Sequence, residues 1–261
     1  MTVWPRNVLT RFLRDNRRAL LGWVVAVTAL AMLYGSFHTR MSPGMADTVP
    51  EAMRGAFGFD DLDSAAGYLQ SAPFGILVPL LVVFFGAAMG ARAVAGDEEN
   101  GLLGLLLAHP VSRRRLLLER LGALAVGAGV IGLGLFAGML VIRDAADLDA
   151  VPIYGFAAQS VAVTMLALLF GCVAVALGAA GVRHGPALGT TTGLGLVSYV
   201  LDAFGPQLDA EWLRRLSPFY YYLGGEPLRY GFQWTHLAVL TVACLLVTAV
   251  ALRWFDARDL R

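Results

Sequence analysis

Lysine is absent from this 261-residue chain, and all 20 of its basic side chains are arginine. Chemistry that needs a lysine amine is therefore excluded, a Walker A phosphate loop and a pyridoxal Schiff base included. If ATP drives the protein, a separate chain hydrolyses it. Charge of either sign is also scarce. It makes up 15 % of the residues, against roughly 25 % in an ordinary soluble domain, while hydrophobic residues reach 57 % and the mean hydropathy is +0.65. Twenty arginines against 19 acids leave a net charge of +1, without the basic excess that nucleic acid requires. The two cysteines, Cys172 and Cys244, each lie in an apolar run. They read as small packing residues, not as a disulfide framework or a thiolate metal cluster. His38, His109, His184 and His236 show no ligand-like spacing, and neither HExxH nor GxSxG occurs, so no metal and no hydrolase motif is assigned.

What the chain does have is long apolar runs. A bilayer core of about 30 Å takes roughly 20 apolar residues in a helix. Six such runs occur, near Ala19 to Phe37, Pro73 to Ala95, Leu121 to Ile142, Ile153 to Val182, Ala187 to Phe204 and His236 to Trp254. The expectation is an all-α integral membrane protein with six transmembrane helices. The first run is too long for a signal-peptide core and no A-x-A site follows it promptly, so it reads as an uncleaved anchor. Trp23, Tyr34, Tyr154, Trp234 and Trp254 lie where spans meet water, as amphipathic rings prefer.

Short cytoplasmic loops retain positive charge. With the N-terminus inside, 14 of the 20 arginines fall in cytoplasmic segments, and the outer loops hold the other six together with most of the acids. Both termini are thus expected in the cytoplasm of a multi-pass protein of the cytoplasmic (inner or plasma) membrane.

Two cytoplasmic segments stand out. In Trp4 to Arg18, Trp4, Val8, Leu9, Phe12 and Leu13 share one half of a helical wheel and Arg6, Arg11, Arg14, Arg17 and Arg18 the other. That pattern predicts a helix lying in the membrane interface over residues 1–18. Residues 96–120, between the second and third runs, hold the acids Asp97, Glu98 and Glu99, a short apolar helix from about Gly101 to Ala108, and a break at Pro110. A second helix follows with Ser112 as its N-cap. Leucines 102, 103, 105, 106 and 107, flanked by acids on one side and arginines on the other, suit a protein groove better than lipid.

The string from Ala95 to Arg120 resembles the hallmark of ABC-2 type transporter permeases, a Glu-x-Gly-x-x-x-x-Leu-Leu…Pro-Val-Ser-Arg segment after the second span. The resemblance maps Glu99, Gly101, Leu106, Leu107, Pro110, Val111, Ser112 and Arg113 onto that pattern, with Leu102 where threonine is usual. It implies a single ABC-2 type transmembrane domain over 1–261, with an N-terminal amphipathic elbow helix and a cytoplasmic coupling helix. Two ABC ATPase subunits would carry ATP and magnesium and would bind through Glu98, Glu99, Gly101, Leu102, Leu106, Pro110, Val111, Ser112 and Arg113. A second copy of the chain, or a homologous permease, would complete the complex, and this chain itself would carry no cofactor and no catalytic residue.

Further out, Val49 to Gly58, Ala66 to Leu69 and Ser217 to Leu228 resemble outer segments of the drug-exporter branch of that family. Within residues 205–235 the resemblance implies short re-entrant helices before the last span. Pro218, the aromatic run Phe219 to Tyr222, Gly224, Gly225 and Pro227 suit broken helices shielded by protein. Phe219, Tyr220, Tyr221 and Asp202, an acid near the outer end of the fifth run, are the candidate substrate path or gate. Glycines at four-residue spacing, Gly134 with Gly138 and Gly185 with Gly189 and Gly193, suit close helix packing, first within the subunit and next at a dimer interface.

The function these features imply is the membrane subunit of an ATP-driven exporter of hydrophobic or amphipathic small molecules such as antibiotics. Within the same family, the alternative is service in cofactor or metal-site maturation or lipid export. A lipid-modifying membrane enzyme lacks a recognisable cluster of acids or histidines, and a gradient-driven carrier lacks intramembrane acids.

Overall fold

The computed structural model describes residues 8–40, 61–99, 112–205 and 211–257. Among these residues the secondary structure is entirely helical. A short helix α1 (Val8–Asp15) leads into α2 (Arg17–Gly35). Helix α3 (Ala65–Glu99) contains two wider turns, at Pro73–Leu77 and Arg92–Gly96. Helices α4 (Arg113–Ile142), α5 (Ile153–Ala179) and α6 (His184–Phe204) follow. Three short helices, α7 (Glu211–Leu216), α8 (Pro218–Leu223) and α9 (Pro227–Tyr230), precede the last long helix α10 (Trp234–Ala257).

Five of these helices, α2, α3, α4, α5 and α10, are long and apolar enough to cross a membrane. The sixth expected span coincides with α6. Its 21 residues would reach about 31 Å, but its glycines, Thr190, Thr191, Thr192 and Asp202 lower its hydropathy below that of the other five. The predicted apolar helix Gly101–Ala108, the outer segment Val49 to Gly58 and Trp4 with Arg6 lie outside the described residues.

Helix α5 is central, lying against α3, α4 and α10. Two-thirds of the apolar window is buried in α3 and α5, and less than a fifth in α2 and α10, whose leucines and valines (Leu21, Val25, Val242, Leu245, Leu246) face outward. A helix surrounded on all sides needs small residues where neighbours cross it. On α5 these include Gly171, which faces Leu124 of α4 on one side and receives Gly86 and Gly90 of α3 on the other.

Gly134 and Gly138 of α4 pack on α2, against Val24 and Met32, as expected of residues that let helices approach within a subunit. Tyr154 and Trp234 are exposed at helix ends. Trp23 is half-buried, with ring centres 5.8 and 5.9 Å from Phe84 and Phe85.

Candidate functional site

Two regions gather the candidate residues, one at the roots of the segment 100–111 and one at the opposite end of the bundle.

At the first region α4 opens as its sequence predicts. Ser112 is extended (φ −67°, ψ 145°), and its Oγ accepts from the Arg115 amide at 3.3 Å, a side-chain N-cap. The next turns of α4 are tied to three neighbours. Arg114 Nε lies 2.6 Å from Asp256 Oδ2 at the end of α10. Glu119 accepts from Arg115 Nε at 2.8 Å and from the Leu9 amide of α1 at 3.3 Å. Arg120 pairs with Asp97 of α3, and its guanidinium lies 4.8 Å from the centre of the Phe12 ring. Asn16, between α1 and α2, accepts from Arg92 Nη1 at 3.0 Å while its own amide donates to the Phe12 carbonyl at 2.9 Å. On the other root, Glu99 Oε1 accepts from the backbone N–H of His184 at 3.1 Å. His184 is the first residue of α6, where a helix carries free amides and a partial positive charge.

Of the predicted partner-facing residues, Glu98, Glu99, Ser112 and Arg113 flank segment 100–111; Gly101, Leu102, Leu106, Pro110 and Val111 lie outside the described residues. Glu99 is turned to α6. Sequence reasoning passed over Asp97, Arg120, Asn16 and His184. For Arg120 a signal existed: it sits among leucines (Leu116, Leu117, Leu118, Leu121), and a cation in such a run needs a buried acid.

At the opposite end, Pro218 and Pro227 start short helices where a missing N–H costs nothing. Glu226, which precedes α9, adopts a left-handed conformation at φ 47°, and Arg229 pairs with it at 3.2 Å while also reaching Asp61 and the Ser64 hydroxyl. Asp202 Oδ1 is 3.1 Å from Arg214 Nε, so this half-buried acid is paired with α7. The same guanidinium lies 5.3 Å from the Tyr220 ring centre. Tyr220 and Tyr221 meet edge to face at 5.1 Å, and both approach His236, at 5.5 and 5.6 Å. Three of the predicted path residues, Asp202, Tyr220 and Tyr221, are thus brought together at one partly exposed corner. Phe219 points the other way, fully buried against Tyr199 and Phe170, and anchors α8 to the core.

Tyr222, also fully buried, answers a defect in α3. Val78 donates to the Pro73 carbonyl in a five-residue turn, and Pro79 has no N–H to continue that spacing to Phe74. The Tyr222 hydroxyl donates to the Phe74 carbonyl instead, at 3.0 Å. Burial pushes this phenol well above its ordinary range, so it stays a protonated donor at any physiological pH. Tyr222→Phe is expected to leave that carbonyl without its side-chain donor and to cost about 1–3 kcal/mol, read as a lower melting temperature of the purified protein in detergent; an unchanged melting curve would show the bond to be dispensable.

On α6 the small residues fall in two rows. Ala187, Thr191 and Gly195 are buried, with Gly195 against Val83 and Phe170. Gly185, Gly189 and Gly193 are exposed, and a Cβ added at any of them would meet nothing within 4 Å. The expectation of packing within the subunit therefore fails for this second row. Residues two apart on a helix are about 200° apart, so one row faces the bundle and the other faces away.

Residues 6–255 match the family described as the multidrug efflux system permease Rv1217c, C-terminal domain. No curated protein matches the chain.

Proposed function

We propose that this chain, which belongs to the family of the multidrug efflux system permease Rv1217c, C-terminal domain, is the membrane subunit of an ATP-driven exporter of hydrophobic and amphipathic small molecules. Its membership and its five membrane-length helices make it a multi-pass permease of drug efflux. The family match over residues 6–255 is the observation that carries the reading.

In this proposal α6 is the sixth span. An even number of spans then leaves both termini in the cytoplasm of the inner membrane, in agreement with the distribution of arginines. Helix α1 is the elbow helix, with Phe12 inward and Arg14 outward. Segment 100–111 is the coupling element on which an ABC ATPase subunit sits, with Glu98, Ser112 and Arg113 at its edges, and two such ATPase subunits serve a pair of permeases. ATP binding on the partners shifts the pair between two states by its differential affinity for them. The corner of Asp202, Tyr220 and Tyr221 lies on the substrate's route outward. The open glycine row of α6 receives the second permease: bare backbone with no side chain to cover it packs poorly on mobile lipid and closely on another helix.

Purification of the detergent-solubilised chain from its native host tests this. The expected result is co-elution of an ABC ATPase subunit from wild type and its loss from the variant carrying Glu98→Arg and Arg113→Glu. A wild-type chain that elutes without any ATPase, under conditions that preserve other membrane complexes, would overturn the reading.

A further inference from the structure

The last turn of α3, which precedes segment 100–111, reaches other helices through its side chains. Asp97 and Glu99 are two residues apart on the last turn of α3, hence on opposite sides of it, and each has a partner on its own side. Asp97 pairs with Arg120, whose guanidinium covers the Phe12 ring of α1. Both charged side chains are about nine-tenths buried, at 13 % and 8 % exposure. Glu99 holds the first amide of α6. The end of α3 is thereby connected to α1 and α4 on one side through a buried ion pair and to α6 on the other through a hydrogen bond at the surface, while further back on α3 the exposed Arg92 donates to the buried Asn16 between α1 and α2.

A buried ion pair is a poor device for stability, because desolvation of both charges offsets their attraction; apolar residues of similar volume often serve as well. What such a pair does provide is a single geometry. The Glu99 link is directional in the same sense, since a carboxylate at a helix N-terminus both accepts an orphan N–H and meets the positive end of the helix dipole.

We propose that Glu99 and the Asp97–Arg120 pair are positioning residues that carry a displacement of segment 100–111 into α6 and α1. The inference rests on the reading of that segment as the seat of the ATPase. It assigns Glu99 a role inside the permease in place of a contact with the partner. A push on the end of α3 would move the first turn of α6, the helix with the open glycine row, and the interfacial helix α1 together.

The test uses the intact complex of permease and ATPase subunits in proteoliposomes, with a lipophilic fluorescent dye as transported probe. Three quantities are read: co-elution of the ATPase, dye moved per ATP hydrolysed, and the melting temperature. Glu99→Ala is expected to keep the ATPase bound and to lower dye moved per ATP at least tenfold. Glu99→Gln, whose amide oxygen still accepts from His184 N–H, is expected to recover most of it. The double variant Asp97→Leu with Arg120→Met, which replaces the pair by apolar volume, is expected to melt within a few degrees of wild type and still to be uncoupled. Full coupling in that double variant or in Glu99→Ala would overturn the proposal. Loss of the ATPase from the Glu99→Ala complex would also overturn it, by making Glu99 a docking residue, while leaving the seat at 100–111 standing. A wild-type chain that never binds an ATPase would remove the premise, and the proposal with it.

Discussion

Gly90→Val is expected to lower sharply both the accumulation of folded permease in the membrane and its melting temperature. A Cβ at position 90 would run into the backbone carbonyl of Gly171 and come within 2.8 Å of the Ala174 methyl group, both on the central helix α5. One turn earlier, a Cβ at Gly86 would meet the Ala167 carbonyl and lie 2.9 Å from the Gly171 nitrogen. Backbone atoms of a helix that is itself packed on every side cannot step aside as a flexible side-chain tip does. Relief would have to come from separating α3 and α5, the two most buried helices of the bundle. Overpacking typically costs about 1–3 kcal/mol, and rigid surroundings place this site at the upper end or beyond; against a total stability of about 5–15 kcal/mol that removes a large share of the margin. The gain in helix propensity from removing a glycine, about 1 kcal/mol at most, does not offset it. Fluorescence-detected size-exclusion chromatography of tagged variants checks the result. A monodisperse, thermally normal Gly90→Val protein would show that α3 and α5 do not cross where the structure places them.

The opposite behaviour is expected of Gly189→Leu combined with Gly193→Leu. Both positions are exposed and open, so the leucines meet no atom of their own subunit and the melting temperature of the isolated chain should change by no more than about 2 °C. In the proposed pair of permeases, however, cellular drug efflux should fall at least tenfold and the purified permease should elute at half the mass of the wild type, because branched side chains on this row would prevent two α6 helices from closing on each other. Efflux at wild-type level with an intact pair would remove α6 from the interface. Comparison of the two glycine variants is informative because the substitutions are chemically alike and differ in what faces them.

Much of this molecule was legible in its residues. The spans could be read because hydropathy over about 20 residues is a local property, and α2, α4, α5 and α10 begin or end within a few residues of the runs that predict them. Ser112 could be read as an N-cap because capping is settled within four residues. The broken helices after α6 could be read because proline cannot donate in a helix interior. Each inference that succeeded involved an interaction no longer than one helical turn or an average over one span.

What the sequence did not show were long-range partners. The bond of the exposed Glu99 to His184, 85 positions away, exists only once α3 and α6 lie side by side. Phe219 and Tyr220 are adjacent aromatics with the same local claim on a substrate path, but α8 turns one into the core and the other toward Arg214. Helix α6 shows the division most simply. By itself the sequence determined that Gly185, Gly189 and Gly193 form a row of four-residue period that suits close helix packing, and it assigned that row first to packing within the subunit. It could not determine what the row faces, because four-residue spacing is the same whichever neighbour the helix meets. The tertiary structure decided it: Val83 of α3 and Phe170 of α5 meet Gly195 and rotate its row inward, and the geometry of a helix then leaves the other row about 200° away, open to whatever lies outside the subunit.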